Sequence, residues 1–125
     1  MVTSLNILVV EDHDVLRDAT VDTLRQQGHQ VTGIDSAEAL IGELAGVRFD
    51  VYVIDLRLPG EDGISLTRRL RQDQPDAGII LATARVLPQD RAAGLASGAD
   101  IYLAKPMLPD DLQAAVAELS RRKDR

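Results

Sequence analysis

Four short apolar runs punctuate this chain: ILVV at 7–10, VYVI at 51–54, IILA at 79–82 and IYLA at 101–104. None of the four alternates apolar with polar residues, so each reads as a strand buried on both faces. A weaker run, QVTGI at 30–34, reads as a fifth strand. Between the runs lie segments with helical period, over 14–27, 37–45, 64–72, 89–97 and 109–122. Gly28, Gly46 and Gly98 follow helical runs, as left-handed C-caps do. Ser36 reads as a cap of the second helix, Asp14 as a cap of the first, and Pro109 as a first-turn residue of the last. Strand followed by helix, five times over, implies parallel strands joined by right-handed crossovers. The expectation is a three-layer α/β/α domain around a five-stranded parallel sheet, spanning residues 1–125 as a single domain. The stretch 120–125 is either its C-terminal end or the start of a linker to an output domain.

Composition narrows the chemistry. The apolar fraction is 45%, and Phe49, Tyr52 and Tyr102 are its only aromatics; an aliphatic core of this kind suits helices packed over a parallel sheet. The net charge of −6 argues against nucleic-acid binding by this chain alone, because such binding depends on phosphate neutralisation by Lys and Arg. With no cysteine, thiol chemistry and disulfides are excluded, and a cytoplasmic setting fits. The opening MVTSLNILVVED has neither a basic n-region nor an apolar run long enough for a signal peptide or a membrane span.

In open parallel sheets, ligands bind outside the carboxyl ends of the strands. Glu11 and Asp12 follow the first apolar run, Asp55 the third, Thr83 the fourth and Lys105 the fifth. If the strand order is 2-1-3-4-5, the first and third strands are neighbours and their acids then meet. Two unit charges ~4 Å apart cost about 4 kcal/mol at an effective dielectric near 20, so either a pKa rises or a cation binds. Oxygen-only donors with room for water favour Mg²⁺ over zinc. Lys105, as a donor, cannot hold a metal, but Lys105 and Thr83 can both bind an anionic oxygen. A metal, an isolated carboxylate, a hydroxyl and a lysine together suit phosphoryl transfer onto that carboxylate. Pro59 and Gly60 then turn the chain away from Asp55. His13 and His29 read as solvated, and Arg121, Arg122, Lys123 and Arg125 as a soluble helix end that suits the helix dipole.

The segments VVEDHD, VIDLRLPGEDG, LATAR and GADIYLAKP, in this order and spacing, resemble the CheY-like receiver domain of two-component response regulators across nearly the whole chain. The resemblance implies that Glu11 and Asp12 help hold Mg²⁺ (with Mn²⁺ as a substitute), that Asp55 is both a ligand and the phosphoacceptor, and that the backbone carbonyl of Arg57 is a further ligand. It implies that Thr83 and Lys105 bind phosphoryl oxygens, that Thr83 and Tyr102 form the switch, and that the Lys105–Pro106 bond is cis. Arg57 and Arg85 would tune the phosphoryl lifetime. The implied partner is a sensor histidine kinase. The implied response is a shift of the face built by the fourth helix, fifth strand and fifth helix, roughly 86–122. DLRLPGEDG and DRAAGLASGAD are similar to receivers of OmpR-type transcription regulators, which implies a DNA-binding output domain outside this chain and a phosphorylation-dependent homodimer through that same face. Two departures bear on the dimer: Ile101 stands where an Asp is common and Ala115 where an Arg is common, while Arg91 and Asp100 remain.

Three other readings compete. A stand-alone or degenerate receiver would serve as a protein-interaction scaffold. A phosphatase of the haloacid dehalogenase class would need a second acid two residues after the nucleophile, where Arg57 stands. A nucleotide or flavin module would show G-x-G-x-x-G or a P-loop, and neither is present.

Overall fold

The computed structural model describes residues 4–42, 44–84 and 87–123. Its elements follow the expected alternation: β1 (Asn6–Val10), α1 (Asp14–Gln26), β2 (Gln30–Ile34), α2 (Glu38–Ile41), β3 (Val51–Asp55), α3 (Gly63–Asp73), β4 (Gly78–Thr83), α4 (Pro88–Ala96), β5 (Ile101–Ala104) and α5 (Pro109–Lys123). All strand pairs are parallel and the sheet order is β2-β1-β3-β4-β5. The fold is the expected three-layer α/β/α domain.

Successive strand residues serve opposite layers, as the pleat requires. Leu8, Val10, Tyr52, Ile54, Ile79 and Leu81 pack with Leu66 and Leu70 of α3 and with residues of α2. Ile7, Val9, Val51, Val53 and Ile80 pack on the other face with Val21 and Leu24 of α1 and Leu112, Val116 and Leu119 of α5. Every residue of β3 and β4 is buried, which explains their unbroken apolar sequences. β5 is one of the two edge strands, with β2 at the other side, and is only partly covered.

Local expectations failed at four places. α2 is a single turn, not a helix over 37–45; its C-cap is Gly42, and the chain then runs through turns. Ser36 does not cap it; Ala37 occupies the N-cap without a side-chain hydrogen bond. Asp14 is not the cap of α1 either. His13 is, its Nδ1 accepting the Leu16 N–H at 3.3 Å, while Asp14 in the first turn pairs with Arg17. His29 is not a solvated turn residue: it is half-buried, and its Nδ1 accepts the Leu5 N–H at 3.1 Å, tying the start of β1 to the start of β2. Burial lowers its pKa from the usual 6.5. Gly28, Gly46 and Gly98 all have positive φ, as expected of chain reversals after helical segments.

Candidate functional site: an acidic cluster at the carboxyl edge of the sheet

Glu11 follows β1, and its N–H donates to the Ile34 carbonyl at 3.0 Å, so the sheet ladder extends one residue past the strand. Arg17 of α1 donates to the Glu11 carbonyl at 2.9 Å and fixes it from the other side. Val10 lies beside Ile54, which brings Glu11 and Asp12 next to Asp55, the last residue of β3. Glu11, Asp12 and Asp55 each offer a carboxylate oxygen within 4.8 Å of the others. Glu11 and Asp55 are buried; Asp12 is exposed.

The strand-end cation joins them. Lys105 donates its backbone N–H to the Thr83 carbonyl at 2.8 Å, which anchors it beyond β5. Its ammonium pairs with Glu11 and lies 3.3 Å from Oδ1 of Asp55. The side chains of Glu11, Asp55 and Lys105 are no more than 13% exposed, so the two acids share one counter-charge away from bulk water. Thr83, the last residue of β4, is 2% exposed. The Lys105–Pro106 peptide bond is cis.

The loop after Asp55 is closely tied to it. The Arg57 N–H donates to Oδ1 of Asp55 at 3.3 Å, and the Gly63 N–H to the Leu56 carbonyl at 3.0 Å. The Arg57 side chain is exposed. Arg85 lies outside the described residues. Tyr102 is buried under α4, and its hydroxyl has no hydrogen-bond partner among the described residues. Burial raises its pKa above the usual 10; the nearby Asp90 carboxylate adds to the rise, and Arg57 opposes it. Gly94 of α4 makes room for the ring: a Cβ there would meet Tyr102 ring atoms at 3.1 Å.

The donor set suits a hard divalent cation. It is oxygen-only, two acids come from one strand end and one from its neighbour, and the exposed Asp12 leaves a side open for water. Sequence reasoning missed two supports. Gly63 lets α3 start against the backbone of Asp55, and Glu38 reaches the loop that follows it. Glu38 carries no signature in its own neighbourhood, because it acts on a residue brought close only by the fold; Gly63 closes the VIDLRLPGEDG stretch, but its contact with Asp55 appears only in the fold.

The family model for the response regulator receiver domain matches residues 7–117. The two-component response regulator PhoP of Pseudomonas aeruginosa is 40% identical over 118 residues, covering 94% of this chain and 52% of that protein. The transcriptional regulatory protein TcrA of Mycobacterium tuberculosis is 37% identical over 121 residues, covering 97% of this chain and 48% of that protein. The chain thus spans about half the length of these curated relatives. A CheY-like receiver domain protein of Methanospirillum hungatei superposes with a TM-score of 0.89 at 25% identity, covering 98% of both chains. An acidic cluster, a lysine and a threonine at the carboxyl edge of a 2-1-3-4-5 sheet, matched over nearly their whole span by one family model, identify the chain as a member of the response regulator receiver domain family of two-component systems.

Proposed function

We propose that this domain accepts a phosphoryl group on Asp55 from a sensor histidine kinase in a Mg²⁺-dependent reaction, and so switches an output. The observation that carries the reading is the convergence of Glu11, Asp12, Asp55 and Lys105 at one sheet edge. A carboxylate oxygen of Asp55 attacks the phosphorus of a phosphohistidine. The P–N bond breaks, and the imidazole leaves with its electron pair. Glu11, Asp12, the Asp55 carboxylate and the Arg57 carbonyl are the residues that would hold Mg²⁺, which when bound supplies neutralisation of the charge gathering on the phosphoryl oxygens. Lys105 is already within reach of Asp55 and would move its ammonium onto those oxygens; Thr83 would donate its hydroxyl to another. Later attack by water on phosphorus returns Asp55 as a carboxylate and releases phosphate, so the domain catalyses its own loading and slow unloading without being a metabolic enzyme. Arg57 and Arg85, two residues after Asp55 and Thr83 in the sequence, would set how long the phosphoryl group lasts.

The switch would run through Thr83 and Tyr102 to the α4-β5-α5 face. In the relatives named as transcriptional regulators, that supports an output on DNA through a domain outside the present chain. For a homodimer through this face, Asp100 would have to be shared with partners in its own chain. Its carboxylate already binds Arg71 at 2.7 Å, Arg122 at 3.4 Å and the Ile79 N–H at 2.9 Å within the same chain. Ala115 is buried and Ile101 is half-buried. A cytoplasmic setting fits the proposed kinase partner, and among the described residues no helix is long and apolar enough to cross a membrane.

The test is intact mass after incubation with Mg²⁺ and acetyl phosphate. The wild type should gain one phosphoryl group, Asp55→Asn none, and chelation should prevent the gain. Equal labelling of Asp55→Asn would remove Asp55 from the role. No gain by either protein would favour the scaffold reading.

A further inference from the structure

Between β3 and α3, residues 56–62 lack regular structure and must be held by individual hydrogen bonds. The start of the loop is tied to Asp55 through the Arg57 N–H, and its two ends are tied together by the Gly63 N–H on the Leu56 carbonyl. Its middle is held from two sides. From α3, Ser65 Oγ donates to the Glu61 carboxylate at 2.8 Å, and Arg69 pairs with the same group. From α2, Glu38 Oε1 accepts the Glu61 backbone N–H at 3.3 Å.

The Glu38 contact needs a specific partner. Gly60 has φ +74, and a Cβ there would lie 2.5 Å from Glu38 Oε1. The left-handed turn is what calls for glycine at residue 60; the Glu38 carboxylate, the far end of a flexible side chain, fits into the space that a Cβ would take. α2 is a single turn, and Glu38 is its first residue, which places the side chain beside this loop.

We propose that Glu38 is a positioning residue for the metal site. By holding the Glu61 amide it sets the path of Pro59, Gly60 and Glu61, and so the aim of the Arg57 carbonyl toward Glu11, Asp12 and Asp55. This rests on the reading of Asp55 as a Mg²⁺-dependent phosphoacceptor. Mg²⁺ demands near-ideal octahedral geometry, so a loop free to wander costs affinity even with every carboxylate intact. The contact requires an acceptor of the right reach rather than a charge. Glu38 is exposed, so its removal leaves the amide to water and the fold standing.

The experiment is calorimetric Mg²⁺ titration of the full chain, alongside urea unfolding without metal. The variants are Glu38→Ala, Glu38→Gln, and Val31→Ala, a core truncation in β2 on the opposite face of the sheet. Loss of one exposed hydrogen bond should raise the Mg²⁺ Kd of Glu38→Ala about fivefold. Glu38→Gln keeps an acceptor oxygen and should stay within about twofold of wild type. Val31→Ala should be less stable yet bind Mg²⁺ as wild type does. In Glu38→Ala, phosphoryl uptake should fall at limiting Mg²⁺ and recover at saturation. Wild-type affinity in Glu38→Ala overturns the proposal. So does equal loss in Glu38→Gln, which would make the effect one of charge, or equal loss in Val31→Ala, which would make it general loosening. If the wild type itself takes up no Mg²⁺, the phosphoacceptor reading falls and this proposal falls with it.

Discussion

A Cβ on Gly63 would lie 2.4 Å from the carbonyl oxygen of Asp55 and 2.8 Å from the Cα of Leu56. Both are backbone atoms, so nothing flexible can yield. α3 starts this close to β3 only because its first residue has no side chain, and that start helps fix where the Asp55 carboxylate points.

Gly63→Ala should therefore act on fold and site together. Overpacking against backbone is expected to cost about 2 kcal/mol of stability. If Asp55 is the phosphoacceptor as proposed, displacing its carboxylate should slow phosphoryl uptake from acetyl phosphate by at least ~10-fold. Urea unfolding and timed intact masses check the two effects. Wild-type uptake in a destabilised Gly63→Ala protein would show that the contact supports the fold alone.

Lys105 is the shared counter-charge of Glu11 and Asp55. Lys105→Met leaves two buried carboxylates facing each other, and breaking such a pair should cost about 3 kcal/mol in metal-free protein. Mg²⁺ would take over part of that neutralisation, so the deficit should shrink as Mg²⁺ is added and return on chelation. Melting temperatures with and without Mg²⁺ decide this. A deficit unchanged by saturating Mg²⁺ would argue against the cation and the lysine serving the same acids.

The Tyr102 hydroxyl is buried without a partner among the described residues. Tyr102→Phe should hold or gain stability, by up to about 1 kcal/mol, since an unsatisfied polar group is removed. Burial raises the phenol pKa in the fold above its usual 10, so the unfolded chain releases its proton first. That contribution is intact below pH 10 and is lost as pH rises through the folded value. Spectrophotometric titration of the phenols should show Tyr102 ionising above 10, a transition absent from Tyr102→Phe.

Arg71 ties α3 to the chain reversals at the amino edge of the sheet. It donates to the carbonyls of Gly98 at 2.9 Å, Pro75 at 2.8 Å and Ala77 at 2.6 Å, and pairs with Asp100 at 2.7 Å. A fork of fixed donors does this; a single ammonium cannot. Arg71→Lys should lose about 2 kcal/mol and Arg71→Ala about 3 kcal/mol, with phosphoryl uptake little changed because the site lies at the opposite edge. Denaturant unfolding measures both, and equal stability of wild type and Arg71→Lys would contradict the fork.

Strand and helix identity were legible because they depend on nearest neighbours along the chain. VYVI and IILA are apolar at every position, and only a strand covered on both faces needs that. The same locality explains where strand-end chemistry could be read, since Glu11, Asp55 and Lys105 each sit where an apolar run stops. Propensity alone could not set the ends of α2, nor show that His13 rather than Asp14 caps α1, because each depends on the side-chain direction at one turn.

What the sequence by itself determined is the order of elements, the two-sided burial of the central strands and the cast of polar residues at their ends. Only the tertiary structure decided who meets whom. Parallel pairing of β1 with β3 brings Glu11 to Asp55, and the pairing of β4 with β5 delivers Lys105 to both. Glu38 reaches Glu61, and Gly63 lies against Asp55, through contacts that the periodicity of the chain does not record. The physical reason is range: periodicity records how a residue relates to its neighbours in the chain, whereas a site is made by contacts between segments that the chain keeps far apart.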